Sequence, residues 1–523
     1  ELAEQLAPRR DERPLAVMIF VATDDGAEPA TDALTLASTL EEQDAALAEY
    51  QSAWQAAYAE KAGPILDFLN ELGFAAKLDA LLPVIYAELD PKLIEAIAAL
   101  PEVRLIQGSQ TVEPELDVAR REINVHLLPA AYTGVNVVVG QVEVGGRVAV
   151  ANPSLTHVVQ DNAFVCGAAD NHSTTVAGVI GSRHAVHRGI APGARLWAGG
   201  SCLGVDAQLQ DRSSFGVSSA GVNVLNLSWG ADIGGVMSAR ERFYDALSLN
   251  GRVLIVKSAG STGPLCGGTG RVSSPGNAYN LLAVGAFDDR ANPIWSGETM
   301  QPCSAGIDPA SLHGDREKPE VAAPGVNIMT TSIAAPWLTQ LSGTSVAAGF
   351  ASGTAALAMQ RNLNLRTRPE ALKSILMATA VHNVEGATRL SEFDGAGGID
   401  AYRAFQIAGG TQGSWKHAVY TCASPAVLDF AVMPLVAGKR TRVVISWGVD
   451  PAYAQYAQQP NADLDLQILS PTGASVAISA SWDNGYEICE FTPTVTGNFR
   501  LRVHKFRCDL SPRFLGAAWY RMP

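Results

Sequence analysis

The sequence predicts an α/β fold, in which a doubly wound parallel sheet is flanked by a small α+β domain and a C-terminal antiparallel β-sandwich. Three observations predict it. Between about residues 127 and 408, apolar runs of strand length alternate with Gly-rich turns and helices. The first hundred residues alternate strand and helix signals, and the chain after residue 410 breaks into short alternating segments with turns. We expect domains over residues 1–115, 116–409 and 410–523.

The N-terminal segment follows a βαββαβ pattern. An apolar run over 15–22 predicts a strand, and apolar and aromatic residues from Leu47 to Tyr58 recur at helical spacing. Pro64 is predicted to open a second helix that Gly73 closes. The remaining elements are a strand over 82–89, a helix over 91–100 and a strand over 103–106. Because no catalytic residue types cluster here, the segment indicates a chaperoning or inhibitory domain.

The strands of the other two domains are predicted from different patterns. Those of the central domain are nearly continuous apolar runs, at 135–144, 194–198, 222–227, 253–256 and 281–284. Those of the C-terminal domain alternate, at 426–432, 440–447, 463–469, 474–478, 486–491 and 498–503. Ligands of doubly wound sheets bind outside the carboxyl ends of the strands, so the central domain is where a site is expected.

Composition excludes several classes of protein. The chain has 523 residues and a net charge of −14, which disfavours electrostatic capture of nucleic acid or an anionic membrane. No run approaches the roughly 18 apolar residues of a membrane span. The seven cysteines show no CxxC pair or zinc spacing, and their odd number leaves one thiol free or paired outside the chain. Disulfides and a secreted or periplasmic location are expected, with a cytoplasmic one left open; any export signal would precede residue 1.

The segment 341–359 carries the strongest chemical signal, with the sequence LSGTSVAAGFASGTAALAM. A small turn delivers Ser345 to the start of a helix of small residues, at the positive end of the helix dipole, where a hydroxyl can act as a nucleophile. The competing interpretation is that Ser345 merely caps a buried helix. His172 begins another small-residue helix, and Glu143 ends an apolar strand where a carboxylate needs a partner such as an imidazole.

The order acid, histidine, serine is similar to that of subtilisin-like serine proteases (subtilases). Four further segments resemble landmarks of this family, in the family's order: RGIAPGA at 188–194, VLNLSWG at 224–230, SPGNAYNLLAVG at 274–285 and KPEVAAPG at 318–325. The resemblance covers about residues 127–408. The N-terminal segment resembles the family's ferredoxin-like propeptide, and the C-terminal one its jelly-roll-like domains.

The resemblance implies roles for individual residues. Ser345 would be the nucleophile, His172 the general base and then acid, and Glu143 the group that orients His172. The oxyanion would be held by Ser261 and the amide of Ser345. Peptide substrate would lie against two segments, which are Ser228, Trp229 and Gly230, and Ser258, Ala259 and Gly260. Trp229 would be a pocket wall rather than a plain core aromatic.

The chain departs from the family pattern at two important positions. Glu143 stands where the family has Asp, and in an alternative register Gln141 would take this place; we prefer Glu143 because Gly145 then keeps its position. Ser261 replaces an Asn whose amide donates to the oxyanion, and losing one such donor costs about 10²–10³ in turnover. These substitutions motivate an alternative hypothesis, a catalytically silent subtilase that serves as a binding or scaffold protein.

The sequence predicts a serine endopeptidase made as a zymogen, acting on protein or peptide substrates. Its first hundred residues would be an intramolecular inhibitor whose tail, near Thr111–Arg121, lies in the cleft in product-like fashion. No cofactor is certain. Asp463 and Asp465 could bind calcium, although alternating acidic residues on a strand more often face water.

Overall fold

The computed structural model describes residues 15–22, 40–79, 83–108, 115–160, 167–291, 295, 297–381, 390–391 and 393–522. The chain divides into two compact units, residues 1–112 and 113–523. The second unit contains both the parallel sheet and the β-sandwich. The three-domain boundaries predicted at residues 115 and 409 stay predictions.

The first unit is a four-stranded antiparallel sheet with two helices. Its elements are β1 (Leu15–Val21), α1 (Leu40–Glu71), β2 (Ala76–Leu78), β3 (Val84–Leu89), α2 (Pro91–Ala98) and β4 (Val103–Gly108). The strand order is β2-β3-β1-β4, and β1 pairs antiparallel with both β3 and β4. Ile19, Ile85 and Ile97 are fully buried in its core. This is the βαββαβ arrangement that the sequence predicts.

Helix α1 differs from the prediction at Pro64. The sequence predicts that Pro64 starts a second helix, but one helix of 32 residues runs through it. A proline inside a helix removes one backbone hydrogen bond. Pro64 itself is exposed, whereas Ala62, Ile65 and Leu69 on either side of it are fully buried in the core of the unit. Packing of this continuous apolar face therefore outweighs the local preference of proline.

The parallel sheet of the second unit has eight strands. The unit begins with the elements α3 (Glu115–Glu122), β5 (Val138–Val144), β6 (Val159–Gln160), α4 (Asn171–Gly181), β7 (Arg195–Ser201), α5 (Asp206–Ser218), β8 (Val224–Leu227), α6 (Ala239–Gly251), β9 (Leu254–Ser258), β10 (Leu282–Asp288), β11 (Thr299–Met300) and β12 (Val321–Pro324). The sheet order is β11-β10-β9-β8-β5-β7-β6, and β12 also pairs with β10. Only β11 among these strands pairs antiparallel. The chain moves from β5 outward to β7 and returns to β8 on the other side, so the topological switch point lies beside β5.

The prediction of a doubly wound parallel sheet is confirmed. The five predicted central strands correspond to β5, β7, β8, β9 and β10, with boundaries moved by one to four residues. Two more elements follow β12, the hairpin of β13 (Ile328–Thr331) and β14 (Leu338–Leu341). Helix α7 (Thr344–Arg361) then crosses the sheet, buried along almost its whole length from Thr344 to Met359. Its Ala and Gly residues let it approach the sheet and α4 closely.

The C-terminal part is an antiparallel β-sandwich that follows α8 (Pro369–Thr379) and α9 (Ala401–Ala408). Its strands are β15 (Gly413–Tyr420), β16 (Val427–Leu435), β17 (Thr441–Trp447), β18 (Ala462–Leu469), β19 (Ser475–Ser479), β20 (Tyr486–Phe491), β21 (Gly497–Cys508) and β22 (Arg513–Arg521). They form two sheets, with orders β15-β22-β17-β20 and β16-β21-β18-β19. The sandwich is confirmed; β15 and β22 were not predicted.

One sheet of the sandwich packs on α8. Arg442 of β17 is fully buried, and its Nη1 donates to the carbonyl oxygens of Met377, Ala380 and Ala396 at 2.8–3.0 Å. Ser446 of the same strand donates to the carbonyl oxygen of Glu370 at 2.7 Å. Carbonyl groups near both ends of α8 therefore accept hydrogen bonds from the sandwich.

The disulfides lie in the second unit. Cys266 pairs with Cys303, and Cys422 pairs with Cys508. Cys202 is also disulfide-bonded, and Cys489 is buried. Among the helices of the described ranges, none is long and apolar enough to cross a membrane.

Candidate active site

The predicted catalytic residues lie where β5 ends and where two helices begin. Glu143 is near the end of β5, beside the switch point of the sheet. His172 is in the first turn of α4, whose N-cap Asp170 accepts a hydrogen bond from the amide of Ser173 at 2.6 Å. Ser345 is in the first turn of α7. The parallel-sheet topology thus brings distant residues to one edge.

Glu143 is fully buried and held by neutral donors. Its Oε1 accepts from Asn226 Nδ2 at 3.1 Å and from the amide of Ser228 at 3.0 Å. Its Oε2 has no hydrogen-bond partner among the described residues and lies 3.7 Å from His172 Nδ1. Burial raises the pKa of Glu143 to about 8, although the hydrogen bonds from Ser228 and Asn226 and the charge of Lys257 oppose the shift. The one free oxygen therefore faces the imidazole.

The imidazole of His172 lies beside the carboxylate of Glu143 and is partly exposed. Its side chain is 35% exposed, unlike that of Glu143. Burial lowers the pKa of His172, and the charge of Asp170 offsets part of this shift. A neutral imidazole is the form that can accept a proton. The distance of 3.7 Å to Glu143 is longer than a hydrogen bond, and such contacts are often long before substrate binds.

Ser228 connects Glu143 to Ser345. Its amide donates to Glu143, while its carbonyl oxygen accepts from Ser345 Oγ at 3.1 Å. Its hydroxyl donates to the carbonyl oxygen of Ser345 at 3.2 Å. Glu143 and Ser345 are therefore both hydrogen-bonded to the same residue, and Ser345 Oγ points at a backbone carbonyl in this conformation.

The contacts favour Glu143 over Gln141 as the acid. The Gln141 amide Nε2 donates to the carbonyl oxygen of Ser173 at 2.9 Å, inside helix α4. Gly145 has φ +89°, and a Cβ there would lie 2.7 Å from Cγ of Asp170. The turn after Glu143 consequently packs against the N-cap of the histidine helix, and this requires glycine.

The predicted oxyanion donors lie on neighbouring segments. Ser261 is exposed, and its Oγ is 3.5 Å from the position that a Cβ of Gly343 would take. The amide of Gly260 donates to Thr344 Oγ1 at 3.1 Å, which ties this segment to the turn before Ser345. The amide of Ser345 is in the first helical turn, where backbone donors lack intrahelical acceptors. The oxyanion role of both residues stays a prediction.

The two predicted substrate-binding segments follow adjacent strands. Ser228 and Gly230 come after β8, Ser258 is the last residue of β9 and Gly260 follows it, and these strands pair in parallel. Ser228, Ser258 and Ala259 are buried, while Gly230 is exposed.

Trp229 is half-buried, donates to the carbonyl oxygen of Val142 at 2.8 Å, and packs at 5.9 Å from the ring of Tyr244. Its ring thus contacts the core as well as the segment, and its assignment as a pocket wall stays a prediction.

Three polar residues near the site were not predicted. Asn226 donates to Glu143 and accepts from Ser352 Oγ at 2.9 Å, so it holds the acid against helix α7. Lys257 and Ser273 lie buried beneath the substrate-binding segments. The available signals were a polar Asn inside the apolar run VLNL and a Lys inside the run VLIVKS. Both break the pattern expected of a fully buried strand.

The acidic pair considered for calcium lies on β18. Burial raises the pKa of Asp463 to about 7, with the neighbouring charge of Asp465 adding to the shift. Over the described residues, no group of three or more His, Cys, Asp or Glu side chains could hold a metal ion.

Comparison with known proteins agrees with this geometry. The profile of the subtilase family (Peptidase S8) matches residues 158–397. The chain is 26% identical over 316 residues to alkaline elastase YaB of Bacillus sp. (strain YaB), covering 57% of this chain and 72% of the relative. It is 27% identical over 333 residues to an alkaline protease of Alkalihalobacillus alcalophilus, covering 59% and 80%.

Among solved structures, fervidolysin from Fervidobacterium pennivorans is similar with a TM-score of 0.44 and 16% identity, over 94% of this chain and 70% of that one. The self-cleaved protease domain of PatA is similar with a TM-score of 0.42 and 23% identity, over 53% and 97%. The parallel sheet and the matched profile define the class as a subtilisin-like serine protease. The match of residues 158–397 to the subtilase profile and the named protease relatives indicate that the chain is a serine-type endopeptidase.

Proposed function

We propose that the chain hydrolyses peptide bonds through Ser345, His172 and Glu143, by way of an acyl-enzyme. Ser345 Oγ attacks the scissile carbonyl and forms a bond to its carbon, while His172 accepts the hydroxyl proton and then passes it to the leaving amine. Water, activated by the same imidazole, releases the acyl group. Glu143 fixes the imidazole orientation and stabilises its charged form.

The observation that carries this proposal is that Ser228 is hydrogen-bonded to both Ser345 and Glu143. One backbone residue accepts from the hydroxyl of Ser345 and donates to Glu143, whose other oxygen faces His172. To act on a substrate, the hydroxyl of Ser345 must leave the carbonyl oxygen of Ser228 by rotation about its side-chain bond. The amide of Ser345 and the hydroxyl of Ser261 are the proposed oxyanion donors.

A fluorophosphonate probe tests the proposal. We expect covalent labelling of Ser345, located by mass spectrometry, and complete loss of labelling in Ser345→Ala. The matched control is Ser342→Ala, because Ser342 is an exposed serine in the same turn whose hydroxyl accepts from the amide of Asn327 at 2.7 Å. Absence of labelling after the N-terminal unit has been removed would instead support the silent binding protein.

We also propose that the N-terminal unit is an inhibitory propeptide. Its support is the βαββαβ sheet described above, a compact unit of its own that precedes the protease part. The predicted product-like tail needs a correction, because residues 115–122 are the helix α3, with Ala119 buried in the core of the second unit. A helix cannot pair as an extended strand, so only residues before Glu115 could do so, and 109–114 lie outside the described residues.

Cutting the chain between the two units tests this inhibition. We expect peptidase activity to rise after the cut and to fall again when the N-terminal fragment is added back. Equal activity before and after the cut would contradict an inhibitory role. The disulfides Cys266–Cys303 and Cys422–Cys508 support the further proposal of a secreted or periplasmic location, because disulfides persist in oxidising compartments.

A further inference from the structure

Gly230 and Gly260, one in each predicted substrate-binding segment, lie next to two buried polar residues, Ser273 and Lys257. A Cβ on Gly230 would lie 2.5 Å from Ser273 Oγ and 3.1 Å from Lys257 Nζ. A Cβ on Gly260 would lie 2.6 Å from the same Ser273 hydroxyl. Gly230 is exposed and Gly260 half-buried, whereas Ser273 and Lys257 are buried. Because neither glycine has a side chain, both segments approach these polar groups closely, and we call the place between the two segments beside Gly230 the recess.

The recess is adjacent to the proposed nucleophile. Ser228, two residues before Gly230, bonds Ser345 Oγ through its carbonyl oxygen at 3.1 Å. Gly260 bonds the side chain of Thr344, the residue before the nucleophile, at 3.1 Å. Because both segments are attached to the turn that carries Ser345, the recess lies beside the carbonyl that Ser345 would attack. The residue that contributes this carbonyl, called here the acyl-side residue, can place its side chain there.

Lys257 is a buried cation with only neutral partners. Its Nζ donates to the carbonyl oxygen of Ser258, to Ser258 Oγ at 3.0 Å and to Ser273 Oγ at 3.3 Å. Across the described residues it has no carboxylate within ion-pair distance. A buried ammonium without a counter-ion is costly, and a carboxylate brought to it recovers part of that cost. Burial also lowers the pKa of Lys257 to about 7, with Glu143 and Glu241 opposing the shift.

We propose that Lys257 makes this protease prefer an acidic acyl-side residue, Glu in particular. Resting on the proposed function, this assignment names its substrate class. The carboxylate of the substrate accepts hydrogen bonds from Lys257 Nζ and from the hydroxyls of Ser258 and Ser273, taking the place of the backbone acceptor of the ammonium. Glutamate has the longer side chain of the two acidic residues, which suits a cation at the base of a recess.

The test compares peptides that differ only at the acyl-side residue, with Glu, Gln or Leu, using the full chain. We expect kcat/KM for Glu to exceed that for Gln by about 100-fold, since a charge-assisted hydrogen bond contributes more than a neutral one. In Lys257→Met the preference should invert in favour of Leu. Lys439→Met, at an exposed lysine of the sandwich, is the matched control and should keep the wild-type preference. Equal rates for the Glu and Gln peptides in the wild-type chain would overturn the assignment.

A second variant and a second measurement test the proposal even if Lys257→Met does not fold. Ser273→Ala keeps the ammonium and removes one hydroxyl, so it should reduce the preference for Glu without inverting it. Affinity of Ser345→Ala for the three uncleaved peptides, measured by calorimetry, reports the preference without turnover. If the probe fails to label Ser345 but affinity still favours Glu, the proposed function fails and this inference stands. Equal affinities for Glu and Gln would overturn the inference even where labelling succeeds.

Discussion

Two groups of buried charges in the second unit are neutralised in different ways. Behind β10 and β12, Lys318 and Lys373 both form ion pairs with Glu320, at 2.5 and 2.6 Å. At the candidate active site, Glu143 and Lys257 are equally buried, but Glu143 accepts from neutral groups and Lys257 donates to neutral groups. The charges of the first group therefore have their counter-ions within the protein.

The difference separates structural from functional charges. Burial by itself raises the pKa of Glu320, but the charges of Lys318 and Lys373 outweigh it, and the net pKa lies below its usual value. At Glu143 burial prevails, and the pKa rises to about 8. A protein retains a costly, incompletely paired charge where a reaction or a ligand uses it. This reasoning supports a role in chemistry for Glu143 and a role in recognition for Lys257.

The largest effect is expected from Glu143→Gln. The corresponding amide substitution in a serine-protease triad lowers kcat by about 10⁴, because the imidazole is held in the wrong tautomer. Stability should not fall, since the neutral amide avoids ionising a buried carboxyl. Peptide hydrolysis and urea unfolding of the same preparation check both expectations. An unchanged kcat would mean that another residue serves as the acid.

The second effect is expected from Glu320→Gln and concerns stability. Removing the carboxylate leaves Lys318 and Lys373 buried without a counter-ion, which costs about 3–5 kcal/mol of unfolding free energy. The control is Asp429→Asn, whose ion pairs with Arg500 and Arg502 are partly exposed and should cost less than about 1 kcal/mol. Chemical unfolding of the wild-type chain and of the two variants measures these losses of unfolding free energy. Equal losses for the two variants would remove the distinction between buried and surface pairs.

The third effect is a pH dependence with opposite signs at the two carboxyls. The pKa of Glu143 in the folded chain, about 8, lies above its ordinary value of 4.5, so ionising it opposes folding as pH rises from 4.5 through about 8. Catalysis needs the ionised form, so kcat/KM should fall about tenfold for each pH unit below that value.

Glu320 contributes to stability with the opposite dependence on pH. Its pKa is lowered, so its stabilisation is present above pH 4.5 and is lost as pH falls through the folded pKa. A pH–rate profile paired with unfolding at several pH values tests both. A rate that is flat from pH 6 to 9 would contradict the assignment of Glu143.

Much of the fold could be predicted, because apolar runs and turns repeat at clear intervals. The parallel strands were predicted because burial on both faces makes them continuous apolar runs. Strands β15 and β22 were missed because they include polar or glycine positions, as in GSWKHAVY and RFLGAAWYR. The helix through Pro64 was missed because its continuity depends on tertiary packing, which a local rule does not include.

The candidate site was proposed from its residue types, whereas its hydrogen-bond connections were not predicted. Ser345, His172 and Glu143 stand in segments whose small residues and order are distinctive. The bridging role of Ser228 uses backbone atoms, which sequence letters do not distinguish. The position of Lys257 beneath Gly230 results from the pairing of β8 and β9 with the segment of Ser273. Such a juxtaposition is a product of topology, so only the irregular Lys in VLIVKS hinted at it.

The attachment of Arg442 to the end of α8 limits how freely this chain could exchange its parts. Three carbonyl oxygens, of Met377, Ala380 and Ala396, take their hydrogen bonds from one side chain of the sandwich. An ancestor without the sandwich would have needed a different way to end this helix, since buried carbonyls require donors. Removing the sandwich at residue 410 would therefore leave these three carbonyl oxygens without their donor. We expect the protease part and the sandwich to be inherited together.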